Sequence, residues 1–317
     1  MKIGFLSTAH MHAWGYASAL QNQEDASIGF VWDDVVERGE AFASQCGAIF
    51  GPDRDAVIQQ CDALILTSEN MSHIDHLEAC AKARKPVLCE KPIIGSEQHI
   101  ERLEALIAAD AKIMTAFPCR YSPAFVRLCD RVRSGEIGQI LSVCATNRGR
   151  CPFDWFVEKE KSGGGAMIDH VVHVADLLSV LLGKLPSTIR AQTGSNMCQQ
   201  EWEDTAMLTL DYENGTFATL DSSWSFPQGY KTWGDVTLNI VGEKGVIELD
   251  MFGQGMEMSA AGKASIVGFG SDLDALLVAD FVRFVNGEIE CPIPAQAGLD
   301  ATQIAFQGYR STKLMAV

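Results

Sequence analysis

The sequence predicts an α/β protein in two parts: a dinucleotide-type parallel sheet over 1–120 and an α/β domain with an open, largely antiparallel sheet over 121–317. Three observations predict it. Short apolar runs alternate with amphipathic helical stretches through the first part, which calls for a parallel sheet covered on both faces. Beyond about residue 120, alternating strands joined by tight turns take over. The 317 residues, 47% of them hydrophobic, are enough for two cores.

Taken in order, residues 2–7 form an apolar strand and 13–21 a helix; 27–33 form a second strand and 35–46 a second helix. A fully apolar strand at 63–67 leads into a helix over 72–83, which stops before Lys85-Pro86. Strand 87–90, helix 97–109 and strand 112–117 close this part. Helices follow at 123–134 and 167–182. Strands then run over 188–194, 205–212, 215–224, 236–242 and 245–250, with Asn214-Gly215 and Glu243-Lys244-Gly245 as hairpin turns. Helices at 274–286 and 300–312 end the chain.

The formal net charge of −16 excludes nucleic acid and anionic membrane surfaces as expected partners. The apolar run 171–182 is interrupted by His173 and Asp176 and is too short to span a bilayer. No secretory leader is recognised, and the ten cysteines show no C-x-x-C pair. A cytoplasmic protein with reduced thiols is expected, with Cys61, Cys80, Cys89 and Cys144 in the core.

A dinucleotide would lie on the first strand and turn. The usual glycine fingerprint is missing there, and Ser7-Thr8-Ala9-His10-Met11-His12 stands in its place. Ser7, Thr8 and Ala9 are small enough for a phosphate to approach the backbone. His10 and His12 can be loop residues, touch the pyrophosphate, or reach over the nicotinamide; two histidines alone are a poor zinc signal, and no metal is expected. Asp33, ending the second strand, suits the ribose hydroxyls and repels a 2′-phosphate, which favours NAD over NADP. Asp34 is then the helix cap, leaving Asp33 available. Ser68, Asn70 and His73 follow the apolar strand, as cofactor contacts or helix caps. Glu90-Lys91-Pro92 ends a later strand, with Glu90 and Lys91 as further cofactor contacts; a lysine there can stabilise a developing oxyanion and the proline permits a cis bond.

Ser162-Gly163-Gly164-Gly165 feeds a helix carrying Asp169 and His173 four residues apart, hence on one face. His173 is the natural base for a substrate hydroxyl, Asp169 an anchor for its neighbour, and His170 a second choice. Asp176 can orient the imidazole or face solvent. Asn147, Arg148, Arg150 and Trp155, ahead of the glycine turn, are candidates for substrate recognition, and the arginines could accept an anion.

Together these motifs resemble the Gfo/Idh/MocA family (glucose–fructose oxidoreductase, inositol 2-dehydrogenase and relatives). The resemblance runs from Glu90-Lys91-Pro92 through Phe117-Pro118-Cys119-Arg120-Tyr121-Ser122-Pro123, Gly135-Glu136-Ile137-Gly138 and the glycine turn to Asp169, His173 and Asp176. Glu203-Asp204-Thr205-Ala206, Asn214-Gly215 and Gly242-Glu243-Lys244-Gly245 complete it. It implies a Rossmann domain with NAD(H) or NADP(H), a second α/β domain, sugar or cyclitol substrates, and a dimer or tetramer built on the open sheet. By that analogy Lys91 is the catalytic lysine, His173 the proton acceptor and Asp169 the substrate-anchoring acid, with Arg120 at the domain junction as a further substrate contact. The Ser7–His12 turn departs from the family's glycines.

The leading expectation is an NAD-dependent dehydrogenase of a sugar or polyol carbon, which requires Lys91 and His173 to flank one nicotinamide. Two alternatives stand beside it: a redox-neutral, NAD-retaining enzyme that cleaves a glycosidic bond, and a non-catalytic nucleotide sensor.

Overall fold

The computed structural model describes residues 1–230, 232–260, 263–268 and 270–315. It divides into two compact units, Met1–Pro118 with Glu160–Gly163 and Asp272–Leu299, and Cys119–Lys159 with Gly164–Ser271 and Asp300–Val317.

The first unit alternates strand and helix: β1 (Lys2–Leu6), α1 (His12–Gln21), β2 (Ser27–Trp32), α2 (Val36–Cys46), β3 (Ile49–Phe50), α3 (Arg54–Gln60), β4 (Ala63–Leu66), α4 (His73–Lys82), β5 (Val87–Cys89), α5 (Ile100–Ala108) and β6 (Ile113–Thr115). All six strands are parallel, in the order β3-β2-β1-β4-β5-β6. This is the doubly wound dinucleotide-binding order, with ligands at the carboxyl ends of the strands. The continuous apolar runs explain it, since every residue of β4 is buried and only helices on both faces can achieve that. The Lys91–Pro92 bond is cis.

In the second unit come α6 (Pro123–Arg133), β7 (Ile140–Thr146), the short α7 (Lys159–Ser162, mostly assigned to the first unit), α8 (Ala166–Leu182) and the strands β8 (Thr188–Gly194), β9 (Thr205–Asp211), β10 (Phe217–Asp221), β11 (Thr237–Gly242) and β12 (Val246–Asp250). The sheet order is β12-β11-β7-β10-β9-β8, antiparallel except for the β7–β10 pair. Both expected hairpins form, with Gly215 at φ +84° in the first. The inward residues, among them Val143, Ala145, Leu208, Leu220 and Ile240, are buried on the side where α8 packs against β7 and β9. A separate hairpin joins β13 (Gly255–Ala260) and β14 (Lys263–Gly268).

Several features differ from expectation. β7, absent from the sequence reading, sits in the middle of its sheet. Cys144 lies on its outward face and is exposed, whereas Cys61, Cys80 and Cys89 are buried. All ten cysteines are free thiols. The segment Lys159–Leu182 does reach the length and hydropathy of a membrane span, but 78% of that window is buried, as befits a core helix. Within the last part of the chain, α9 (Leu273–Val285) belongs to the first unit, packed on α1; Gly15 permits this, because a Cβ there would stand 2.6 Å from Asp274 Oδ2. The final helix is α10 (Ala295–Met315).

Candidate active site

In the first unit the turn after β1 is braced from below. Ser7 takes φ +62°, the left-handed conformation that a glycine adopts without the roughly 1 kcal/mol cost to an L-residue. Thr8 donates to Asp33 Oδ2 from its N–H at 2.7 Å and from its hydroxyl at 2.8 Å. Asp33 also accepts from Val35 N at 2.8 Å and forms an ion pair with Arg38 at 2.7 Å. Burial alone would raise the Asp33 carboxyl, but Arg38, Val35 and Thr8 hold it below the usual range. Asp33 is therefore committed to bracing, contrary to the expectation that Asp34 would cap the helix and leave it available; Asp34 pairs with Arg38 at 2.8 Å instead. Arg38 also faces Glu69 at 3.7 Å, so one guanidinium answers three carboxylates.

A second cluster centres on Glu90, fully buried at the end of β5. His12 Nδ1 lies 2.9 Å from its Oε1, the Tyr16 hydroxyl donates to the same oxygen, and Lys91 N–H donates to Oε2 at 2.9 Å. His10 Nε2 stands 3.9 Å from Oε2. His10 Nδ1 faces the His12 N–H at 3.2 Å and so accepts, leaving the His10 proton on Nε2 toward the carboxylate. Burial opposes charge on Glu90, but the two imidazoles and Lys91 hold it well below the usual carboxylate range. Burial also opposes charge on His12, and Glu90 outweighs it, raising the imidazole. The ligand atoms of His10, His12 and Glu90 fall within 4.8 Å of one another. The carboxylate accepts from Tyr16 and Lys91 N–H and faces His12, three close contacts on its two oxygens. Glu90, expected as a cofactor contact, is thus an internal anchor, and Lys91, 4% exposed, follows it directly.

His73, another expected cofactor contact, is 0% exposed with Nδ1 2.9 Å from Pro92 O and Nε2 3.1 Å from Ser68 O. It fastens two strand-end loops together. Asn70 donates to Ser162 O at 2.8 Å and Ser68 to Glu69 O at 3.2 Å, so neither caps α4, whose cap residue is Ser72.

In the second unit the glycine turn is shaped by close contacts. A Cβ on Gly165 would lie 2.2 Å from Glu203 O, and one on Gly164 2.2 Å from the Tyr309 hydroxyl. Glu203 supplies the cap that glycine lacks: its Oε1 accepts from Gly165 N at 2.8 Å and from the Tyr309 hydroxyl, which accepts from Ile168 N at 3.2 Å. The helix so fixed presents Asp169, buried, and His173, half-buried, one turn apart. Asp169 Oδ2 receives the Trp224 indole N–H at 3.1 Å and lies 3.2 Å from His170 Nε2; His170 Nδ1 meets Asn147 O at 2.9 Å.

Several expected substrate contacts are otherwise engaged. Arg120 binds Asp176 at 2.7 and 2.5 Å, so Asp176, 1% exposed, neither orients His173 nor faces solvent. Arg148 pairs with Asp235 at 2.5 Å. Trp155 is 3% exposed and stacked on Phe156 at 3.9 Å, a core residue. Arg150 instead meets the Gln228 carbonyl at 3.3 Å and the Trp233 ring at 4.8 Å. The sequence reading missed Tyr16, Arg38, Trp224 and Tyr309. Tyr16 had a signal, four residues after His12 on the same helical face; Trp224 and Tyr309 had none.

Comparison with known proteins matches residues 3–117 to the oxidoreductase family with an NAD-binding Rossmann fold and residues 125–248 to the GFO/IDH/MocA C-terminal domain. The chain belongs to the Gfo/Idh/MocA oxidoreductase family. Its first unit is that family's NAD-binding domain. It is 29% identical over 250 residues to 2,7-anhydro-N-acetylneuraminate hydratase of Escherichia coli (strain K12), covering 74% of this chain and 64% of that protein. It is 28% identical over 197 residues to myo-inositol 2-dehydrogenase of Thermotoga maritima, covering 60% of this chain and 56% of that protein. Less than two thirds of either relative is therefore spanned. The fold matches that of GenD2 from gentamicin A biosynthesis in complex with NAD, with TM-score 0.88, 20% identity and coverage of 99% of this chain and 94% of that one.

The first unit of this Gfo/Idh/MocA protein fits NAD in two respects. Its strand order places α1 at the diphosphate position, and the Ser7–Ala9 backbone carries no bulky side chain against it.

Proposed function

We propose that this Gfo/Idh/MocA protein is an NAD-dependent dehydrogenase of a sugar, cyclitol or related polyol carbon. The observation that carries this reading is the α8 pair: Asp169 held by the Trp224 indole N–H, with His173 one turn on and accessible. NAD, when bound, supplies the hydride acceptor. His173 takes the substrate hydroxyl proton, since imidazole titrates near neutrality. Lys91 donates a hydrogen bond to an alcohol oxygen as it gains negative charge. Asp169 accepts from a neighbouring hydroxyl, and Arg150 is the arginine left to meet an anionic substituent. NAD is preferred over NADP because Arg38 is already answered by Asp33, Asp34 and Glu69. The test is turnover on a sugar and cyclitol panel with NAD, comparing wild type with His173→Asn. Panel-wide inactivity with NAD bound would remove the dehydrogenase reading.

We further propose a cytoplasmic homodimer or homotetramer that binds neither nucleic acid nor membrane. The outward sheet face exposes Phe217, Val241 and Val246 in one cross-strand line, with Met207 further along β9, an apolar face suited to a second copy. The hydratase among the relatives favours a second reading, redox-neutral chemistry with NAD retained, because hydration changes no net oxidation state. Product formation without net NADH accumulation would select it.

A further inference from the structure

The turn that replaces the glycine fingerprint has little backbone left to offer a phosphate. The N–H of Thr8 goes to Asp33, that of Ala9 to Ser7 Oγ at 3.3 Å, that of His10 to Thr67 O at 2.9 Å and that of His12 to His10 Nδ1. A fingerprint turn aims several of these groups at the diphosphate. Here the Met11 N–H, at the N-cap of α1, is the one amide of the turn not so committed among the described residues, which leaves room for a side-chain donor beside it.

His12 is in the right place. It is the first residue of α1, where the diphosphate lies in this strand order. Its side chain is 32% exposed, with Nδ1 turned inward on Glu90. A carboxylate can only accept, so Nδ1 carries a proton and Nε2 is the second, outward nitrogen. The charged and titratable groups facing this ring are Glu90 and Lys91 at the end of β5, His10 in the turn, Tyr16 on α1 and Asp274 on α9. One ammonium thus stands against two carboxylates. A diphosphate approaching that set is repelled unless His12 is also a cation, and then Nε2–H becomes a charge-assisted donor to it.

We propose that His12, its Nδ1–H fixed on Glu90, grips the diphosphate of the dinucleotide through Nε2–H in place of the missing glycine cradle, so that the fraction of His12 still neutral takes up a proton when the cofactor binds. The proposal rests on NAD lying across this turn. Glu90 acts through His12 as a positioning residue, and Asp274 adds to the surroundings that make the imidazole a good proton acceptor.

Calorimetric titration of the full-length protein with ADP-ribose, which keeps the diphosphate and lacks the nicotinamide, tests it. Runs at one pH in buffers of different ionisation enthalpy report protons taken up per ligand. Wild type is expected to take up a proton fraction that grows as the pH rises, with affinity falling about tenfold or more across the imidazole titration. His12→Gln binds more weakly at low pH, with no uptake and a flat pH profile. His12→Lys keeps the affinity and is also flat. Uptake unchanged in His12→Gln overturns the proposal, as does the same pH dependence with adenosine, which has no diphosphate. Tight Zn²⁺ binding that His12→Gln abolishes also overturns it, in favour of a metal on His10, His12 and Glu90. Failure of both ADP-ribose and NAD to bind at any pH overturns instead the placement of the cofactor on which it rests.

Discussion

The indole N–H of Trp224 reaches Asp169 Oδ2 across 3.1 Å. Both side chains are buried, and His170 approaches the same oxygen from α8. The carboxylate is thereby held in one rotamer. Trp224→Phe removes the donor and keeps an aromatic ring, though a smaller one. We expect kcat/KM on the best panel substrate to fall roughly tenfold, with the NAD dissociation constant unchanged in a fluorescence titration.

Replacing His173 by Asn removes the proposed proton acceptor at a half-buried position on α8. Turnover is expected to fall by roughly 10²–10⁴, while NAD and substrate still bind. Normal steady-state rates in this variant would reassign the base.

Asp33→Asn releases Arg38 from its shortest ion pair. Discrimination between NAD and NADP should narrow, mainly through tighter NADP binding, read as the ratio of the two dissociation constants. Loss of Asp33's bracing of Thr8 should weaken NAD modestly in the same experiment.

Arg120→Met strands Asp176 in the core. The loss is expected at roughly 3–5 kcal/mol of unfolding free energy in urea. Burial raises the Asp176 carboxyl above its ordinary value even with Arg120 beside it. A carboxyl raised in the folded state favours folding while protonated and loses that contribution as the pH climbs through its folded value. The variant should therefore be hurt less under acid conditions than at neutral pH, and equal losses at both would point away from the ion pair.

Gly165→Ala puts a methyl group 2.2 Å from Glu203 O. Overpacking of this kind typically costs about 1–3 kcal/mol, so a lowered melting temperature is expected, together with reduced turnover because α8 carries both Asp169 and His173.

The parallel sheet and the two hairpins were legible because apolar runs and Asn-Gly turns are local signals. β7 was not: Ile-Leu-Ser-Val-Cys-Ala-Thr is a short run that reads equally as loop or strand until β10 and β11 flank it. The four-residue spacing made it legible that Asp169 and His173 share one helix, α8. Partnerships escaped, because Arg120 meets Asp176 and Arg148 meets Asp235 across long stretches of chain. Asp33 shows the same limit, since its neighbour Asp34 has identical chemistry and only the position of Arg38 decides which one braces the turn.

The central place of β7 bears on how the protein is made. When Ser142 leaves the ribosome, neither Phe217 on one flank nor Val241 on the other has been synthesised. Both edges of an apolar strand stay bare through much of translation, a condition that slows folding and invites mispairing or chaperone capture. The same delay reaches α1, whose packing partner α9 is among the last helices to emerge. Chains cut short between Thr146 and Thr237, which carry β7 without β11, should accumulate as aggregates, however intact their first hundred residues.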